Sequence, residues 1–334
     1  MDQVRDGIVD NFGRKVNYLR LAVTDRCNLR CFYCMRDEHM TFQPRRELLS
    51  YEEMERLLRI LGELGINKLR LTGGEPFVRR GILDFIRRVN GIDGIDQISV
   101  TTNGTLTARL IPEFDALNIK SVNLSLDSID PDRFQAITRR DELANVLHTL
   151  NELIAHHIDT KINCVVMQGK NTEDILPLAQ LAEKAPITVR FIEEMPFNGE
   201  GKHPGKLIWN HIRILDELKT RWPDIQAQPK PPFSTAELYK VPGFEGQIGI
   251  IAAYSRTFCG SCNRLRITPQ GQLKTCLYDG GVLDLKRLLR NGASDEELRH
   301  LFIDRVGNRA RNGFEAESTR VDGLVSESMT TIGG

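Results

Sequence analysis

Six of the seven cysteines in this 334-residue chain fall into two groups of three, and each group has the spacing of a set of metal ligands. The first is Cys27-Asn-Leu-Arg-Cys31-Phe-Tyr33-Cys34, a C-x3-C-x2-C loop. Three thiolates this close suit a metal ion or an iron–sulfur cluster. A structural zinc site closes with four ligands, and of the residues just behind this loop only His39 could serve as the fourth. Three ligands on a four-iron cube leave one iron open, which is what chemistry at a cluster needs. The second group is Cys259-Gly-Ser-Cys262 followed, after thirteen residues, by Cys276. A zinc ribbon short of one ligand or a redox C-x2-C pair would use the same residues. Cys164 stands alone in an apolar run and reads as core packing.

Between and around the cysteines lie basic residues in strand-like alternation. Arg264 and Arg266 flank Leu265, so on a strand both guanidiniums project to one side. Arg20 stands between Leu19 and Leu21, Lys68 and Arg70 alternate with Leu69 and Leu71, Lys161 precedes Ile162, and Arg190 lies between Val189 and Phe191. If the leucines pack under helices, these cations point the other way, into the interior. A single inward cation is ordinarily a partnered structural charge. Several together read as a recessed phosphate pocket, since arginine grips phosphate bidentately.

Bulk charge offers no alternative. Lysine plus arginine equals aspartate plus glutamate at 45 each, so no net field recruits nucleic acid or an anionic membrane. The charged start, MDQVRDGIVDNFGRK, has no apolar core of a signal peptide, and no run of about 18 apolar residues exists. Clustered thiols without an export signal predict a cytoplasmic protein with no nucleic-acid or membrane partner.

The elements that must carry these residues alternate between strand and helix. Strands are expected over 19–24, 66–72, 97–102, 120–126, 161–167 and 187–192. Helices are expected from a Ser50-Tyr-Glu-Glu53 capping box, near 82–89, from Pro131, over 141–157 and over 172–184. Six such units argue an α/β fold with a parallel sheet, either doubly wound or a barrel two units short of eight. The character changes after Trp222. Pro229-Lys-Pro-Pro232 reads as an irregular crossing segment, 248–253, 265–268 and 272–277 as short antiparallel strands, and 283–289 and 295–305 as helices. The tail, ending Ile332-Gly333-Gly334, reads as extended. The domain division predicted is 1–222 and 223–334.

Motifs recur where the strands end. Thr72-Gly-Gly-Glu-Pro76 follows the second strand, where paired glycines let backbone approach a ligand closely. Thr101-Thr-Asn-Gly104, Ser125-Leu-Asp127 and Glu193-Glu-Met195 end the third, fourth and sixth strands. In parallel α/β folds the carboxyl ends of the strands form the active site.

Taken together, the segments LRLAVTDRCNLRCFYC, LRLTGGEPFVRR, NLSLD, RFIEEM and CGSCNRLR, with Cys276 and the terminal IGG, resemble the GTP 3′,8-cyclase family of radical S-adenosylmethionine (SAM) enzymes over nearly the whole chain. The Met-Arg-Asp-Glu after Cys34 departs from the family's Met-Pro, which bears on loop shape. The resemblance implies an incomplete (β/α)6 TIM-type barrel, the radical SAM core, whose open side is covered by a C-terminal cluster-binding region. It implies two 4Fe–4S clusters, one on Cys27, Cys31 and Cys34 and one on Cys259, Cys262 and Cys276. It implies SAM contacts at Tyr33, Gly74, Ser125 and Met195, and GTP contacts at Arg20, Arg70, Thr101, Lys161, Arg190, Arg264, Leu265 and Arg266. Catalysis would rest on the first three cysteines, Arg266, and a tail, Gly333 and Gly334, that inserts towards the site. The activity implied is conversion of GTP to 3′,8-cyclo-7,8-dihydro-GTP through a 5′-deoxyadenosyl radical. The implied partners are a reducing electron donor, a downstream cyclic pyranopterin monophosphate synthase and a second copy in a homodimer. A peptide-modifying radical SAM maturase or a non-catalytic zinc- or cluster-binding protein are the competing readings; the first leaves the basic residues unexplained.

Overall fold

A computed structural model describes residues 7–35, 38–197, 207–320 and 327–333. Strands β1 (Ile8–Val9) and β2 (Lys15–Val16) form a small antiparallel ribbon. Then β3 (Tyr18–Ala22), β4 (Lys68–Thr72), β5 (Gln97–Thr102), β6 (Ile119–Ser125), β7 (Asp159–Val166) and β8 (Thr188–Glu193) lie side by side, all parallel. Their crossovers carry α1 (Tyr51–Glu63), α2 (Ile82–Asn90), α3 (Pro131–Thr138), α4 (Leu143–Ala155) and α5 (Ile175–Gln180). The expected capping box opens α1: the Ser50 hydroxyl accepts from the Glu53 amide at 3.2 Å, and the Glu53 carboxylate accepts from the Ser50 amide at 2.7 Å.

Alternation along the strands decides which residues reach the interior. Leu19, Leu21, Leu69, Leu71 and Val100 pack outward against Leu57, Leu61 and Phe85 in one core, and Ile162, Val189 and Phe191 against Val146 and Leu178 in a second. With the apolar side committed to the helices, Arg20, Arg70 and Arg190 are left for the concave face.

The C-terminal part adds α6 (His211–Arg221), β9 (Gln226–Ala227), β10 (Glu237–Lys240), β11 (Gln247–Ile251), β12 (Arg264–Ile267), β13 (Gln272–Lys274), β14 (Leu283–Asp284), α7 (Leu285–Arg290), α8 (Asp295–Gly307), α9 (Gly313–Ser318) and α10 (Met329–Ile332). Its strands extend both edges of the parallel core into a twelve-stranded sheet, in the order β14-β13-β12-β3-β4-β5-β6-β7-β8-β11-β10-β9. The antiparallel expectation needs correcting here. Strand β12 pairs in parallel with β3 and β11 in parallel with β8, and each is antiparallel only on its outer side.

Other corrections have local causes. The helix expected over 172–184 shrinks to α5, with a short 3₁₀ turn before it and Pro186 restricting the backbone behind it. Strand β13 stops at Lys274 because the Asp279 carboxylate accepts from the amides of Thr275 and Cys276, at 2.7 and 2.8 Å, and folds the chain back. The tail is not extended: α10 forms where the Ser328 side chain accepts from the Thr330 amide.

Candidate functional site

The concave face encloses a cavity of about 290 Å³ into which both cysteine groups project. The first group follows the carboxyl end of β3. The Thr72-Gly-Gly-Glu-Pro76 turn is built onto the backbone leading to it. The Gly74 amide donates to the Thr24 carbonyl at 2.9 Å and the Glu75 amide to the Arg26 carbonyl at 2.8 Å. A Cβ on Gly73 would lie 2.4 Å from the Thr24 carbonyl oxygen, and one on Gly74 2.4 Å from that of Arg26, so both positions require glycine. Glu75 then ties this turn to the β5 loop, accepting from the Asn103 amide at 2.7 Å and the Thr102 hydroxyl at 2.9 Å; burial holds its carboxyl up, at about 7.

Several residues of this end escaped the sequence reading as functional candidates. Asn103 donates to the Cys27 sulfur at 3.5 Å and to the Asn28 side chain at 2.9 Å. Asp127 accepts from the Tyr33 hydroxyl at 2.8 Å and from the Val165 amide at 2.9 Å, and burial raises it to about 6. Glu193 is fully buried and accepts from the His211 amide at 2.8 Å and from the Ser255 amide and hydroxyl, each at 2.8 Å, which fixes the chain leading to Met195. All three stand inside the strand-end motifs, so the signal was there. Tyr33, Gly74, Ser125, Met195 and Thr101 line the cavity with the cysteines.

The sulfurs themselves are crowded. Burial and then the Glu75 carboxylate push Cys27 up to about 11; burial and then Cys27 push Cys34 up to about 12; Cys31 is driven up by burial, Asp127 and its two neighbours. Three half-buried thiols opposing one another's ionisation are relieved by a cationic centre that binds all three as thiolates, so the donor set fits an iron–sulfur cluster.

The second group lies at the opposite end of the strands. Cys259 and Cys262 precede β12, and Cys276 follows β13. The antiparallel register, Arg266 opposite Lys274, brings Cys262 and Cys276 to one end. Because β12 runs parallel to β3, this is the amino end of the barrel strands. A five-residue strand, about 17 Å long, separates the two levels. A buried carboxylate, Asp10, organises this end: it accepts from Arg14 at 2.6 Å and from Arg309 at 2.5 Å. These arginines in turn donate to backbone carbonyls of the loop, Arg14 to Cys259 at 3.2 Å and Arg309 to Cys262. Burial would raise Cys262, but Arg264, Arg309 and Arg14 outweigh it and its thiol is pulled below the usual value; burial holds Cys276 up at about 12.

Between the two ends lies a layer of guanidiniums. Register sets Arg20 level with Arg70 on one side and Arg266 on the other, and Arg264 level with Tyr18. Buried nitrogens of Arg20 (Nε), Arg70 (Nη1), Arg190 (Nε and Nη2) and Arg264 (Nε) have no hydrogen-bond partner. Burial, then neighbouring guanidiniums, bring Arg190 down to about 9 and Arg266 to about 10 and carry Arg20 well below its usual range. Among the described residues no carboxylate hydrogen-bonds to any of the five. Gly249, level with Arg190, leaves its side chain room: a Cβ there would lie 2.9 Å from Arg190 Cγ. Unsatisfied buried N–H groups of one sign are the complement of a polyanion. Lys161 is partly buried with its ammonium against Asp159, and Leu265 puts its side chain into the outer core, so only its backbone is available to the layer.

The tail runs into this interior. The Ser328 hydroxyl donates to the Cys34 carbonyl, and Arg266 donates to the carbonyl of Gly333. Gly333 has φ +77°, and a Cβ there would lie 2.6 Å from Thr72 Oγ1 and 2.8 Å from Ala22 Cβ. Gly334 lies outside the described residues, as do Arg36 and Asp37 of the loop after Cys34.

A parallel α/β sheet with three cysteines at its carboxyl face defines a radical SAM enzyme. The model of the radical SAM superfamily matches residues 21–182, and that of Molybdenum Cofactor Synthesis C matches 187–314. A crystal structure of Streptococcus suis SuiB bound to S-adenosylmethionine superposes with a TM-score of 0.57 at 14% identity, covering 85% of this chain and 68% of that one, a likeness of fold. The GTP 3′,8-cyclase of Syntrophomonas wolfei is 42% identical over 98% of this chain and 100% of its own length. That of Clostridium perfringens is 40% identical over 88% and 90%. The mouse molybdenum cofactor biosynthesis protein 1 is 41% identical over 91% of this chain but 48% of its own, so the chain spans about half the length of that relative. The chain belongs to the GTP 3′,8-cyclase family. SAM and an iron–sulfur cluster are the cofactors of the radical SAM class. Among the described residues no helix is long and apolar enough to cross a membrane.

Proposed function

We propose that this chain converts GTP to 3′,8-cyclo-7,8-dihydro-GTP, the opening step of molybdopterin biosynthesis. The observation that carries the reading is the layer of five arginines, Arg70 and Arg266 buried and Arg20, Arg190 and Arg264 partly buried, lying between two three-thiol sets at opposite strand ends. A triphosphate is the nucleotide part that such a layer complements, and a nucleotide held there has one thiol set on each side.

The division of labour follows from position. Cys27, Cys31 and Cys34 hold one four-iron cluster, with Tyr33, Gly74, Ser125 and Met195 around SAM. Cys259, Cys262 and Cys276 hold a second, in the region 223–334 that completes the barrel of 1–222. When bound and reduced by an external donor, the first cluster and SAM supply a 5′-deoxyadenosyl radical that removes the ribose 3′ hydrogen. The arginines, with Thr101 and Lys161, anchor the triphosphate so that C3′ faces the carboxyl ends of the strands and C8 lies within reach of C3′. Gly333 and the tail fill the interior beside Ala22 and Thr72 and exclude water from it. A cyclic pyranopterin monophosphate synthase would consume the product.

Anaerobic incubation of the reconstituted protein with SAM, reductant and GTP deuterated at C3′ tests this. The expected result is deuterium in 5′-deoxyadenosine together with a cyclised nucleotide. SAM cleavage that leaves the deuterium on GTP would overturn the reading.

A further inference from the structure

The arginine layer has one polar neighbour that neither the strand-end motifs nor the mechanism uses. Tyr18, the first residue of β3, shares the concave face with Arg20. Its hydroxyl accepts from Arg70 Nε. Its ring has the Arg264 guanidinium at 5.6 Å and that of Arg70 at 5.9 Å from its centroid. Both strands paired with β3 present cations to it, Lys68 and Arg70 from β4 and Arg264 and Arg266 from β12; Arg20 adds one from its own strand, and Arg190 of the more distant β8 interacts with it electrostatically. Among the described residues no carboxylate reaches it. Among the described residues, the Tyr18 phenol is the ionisable group that accepts a hydrogen bond from a guanidinium of this layer; Asp159 acts on Arg190, and the Cys262 and Cys276 thiols on Arg266, from the layer's edges.

We propose that Tyr18 is the exchangeable counter-anion of the arginine layer: its oxygen balances the guanidiniums as phenolate while no phosphate is bound, and takes up a proton from water when a nucleoside triphosphate displaces it from Arg70. The inference rests on GTP as the ligand of the layer. Burial alone would raise the phenol, but Arg70, Arg20 and Arg264 outweigh it and bring it down to about 7. Phosphate oxygens entering the layer reverse that balance. They add negative charge beside the phenol and compete for Arg70, so the phenol regains its proton.

The sign is fixed by linkage. Above the free-state value the unliganded protein carries phenolate and the complex carries phenol, so binding absorbs a proton and weakens as pH rises. Tyr18 is on this account a positioning residue that keeps Arg70 and Arg264 oriented and soluble in one another's company.

The test is calorimetric titration of GTP into the reconstituted protein at pH 8 in two buffers of different ionisation enthalpy, for the wild type and Tyr18→Phe. At this pH the terminal phosphate of GTP is already ionised and contributes little. The wild type is expected to absorb close to one proton per GTP, and its affinity to fall about tenfold per pH unit above pH 7; Tyr18→Phe is expected to show neither. GTP binding with the same proton count in both proteins overturns the coupling alone. A uniform loss of affinity in the variant, with no change in pH slope, also overturns it, because that is what a packing role would give. Failure of both proteins to bind GTP overturns the substrate reading and the coupling with it.

Discussion

The two three-cysteine groups are alike in count and opposite in setting. The Cys27 loop is local: three sulfurs within eight residues, facing the carboxylates Glu75 and Asp127, with every thiol held up. The Cys259 group is assembled from two strand ends and a distant N-terminal ribbon, and Arg14, Arg309 and Arg264 surround it so that Cys262 is held down, while burial still holds Cys259 and Cys276 up. The difference teaches that thiol spacing alone does not fix what a site is for. An anionic setting at the carboxyl face disfavours added electrons there and suits a centre that gives one away, whereas a cationic setting beside the arginine layer suits a centre that meets an electron-rich base.

The sharpest break separates the two groups genetically. Cys27→Ala is expected to abolish SAM cleavage altogether. Cys259→Ala is expected to keep SAM cleavage and lose the cyclised product, each variant losing about four irons per chain by iron analysis. Equal loss of SAM cleavage in both would erase the distinction. Next in size is Gly333→Ala, where a Cβ meets Thr72 Oγ1 at 2.6 Å with φ +77°. Product yield should fall roughly tenfold or more while SAM cleavage stays intact, and deleting Gly333-Gly334 should abolish cyclisation. Normal cyclisation by the truncated chain would remove the tail from the account.

Arg266→Ala comes third. Loss of one buried charge-assisted hydrogen-bond donor is expected to weaken GTP binding by about 10- to 100-fold, with both clusters retained. Unchanged affinity would dispose of the phosphate layer. Smallest is Gly249→Ala, whose methyl must displace Arg190 from 2.9 Å. An off-rotamer cost of about 0.5–1.5 kcal/mol on Arg190 predicts a KM for GTP raised roughly two- to tenfold, with kcat and iron content unmoved. A change in iron content instead would place Arg190 in a structural role.

What could be read from the sequence was what is local in it. The cysteine loop, the Gly-Gly-Glu turn and the strand-end motifs each lie within a dozen residues, and with the leucines of 19–21 and 69–71 in the outer core, Arg20 lines the cavity and Arg70 turns to the Tyr18 hydroxyl on the same face. Pairing was not legible. Periodicity marked 265–268 as a strand but could not say that it joins β3 in parallel, a partner some 245 residues away by Arg264 and Tyr18. The Asp10–Arg14–Arg309 network was invisible for the same reason: polar residues at opposite ends of a chain carry no mutual signal. Tyr18 was passed over because a tyrosine opening a strand is an ordinary β-former, and its meaning lies in Arg70 and Arg264 beside it. Helix α10 is four residues long, too short for propensity to announce, and exists because Ser328 caps it and Arg266 holds its end.

The central claim is that each end of the sheet holds its own cluster and its own ligand. Paramagnetic resonance of the reduced, reconstituted protein tests it most directly, using two triple variants that lack Cys27, Cys31 and Cys34 or Cys259, Cys262 and Cys276. The account predicts that GTP shifts the spectrum of the first variant and SAM that of the second, with no crossed response. A spectrum that answers to the wrong ligand, or zinc in place of iron at the second group, would contradict it.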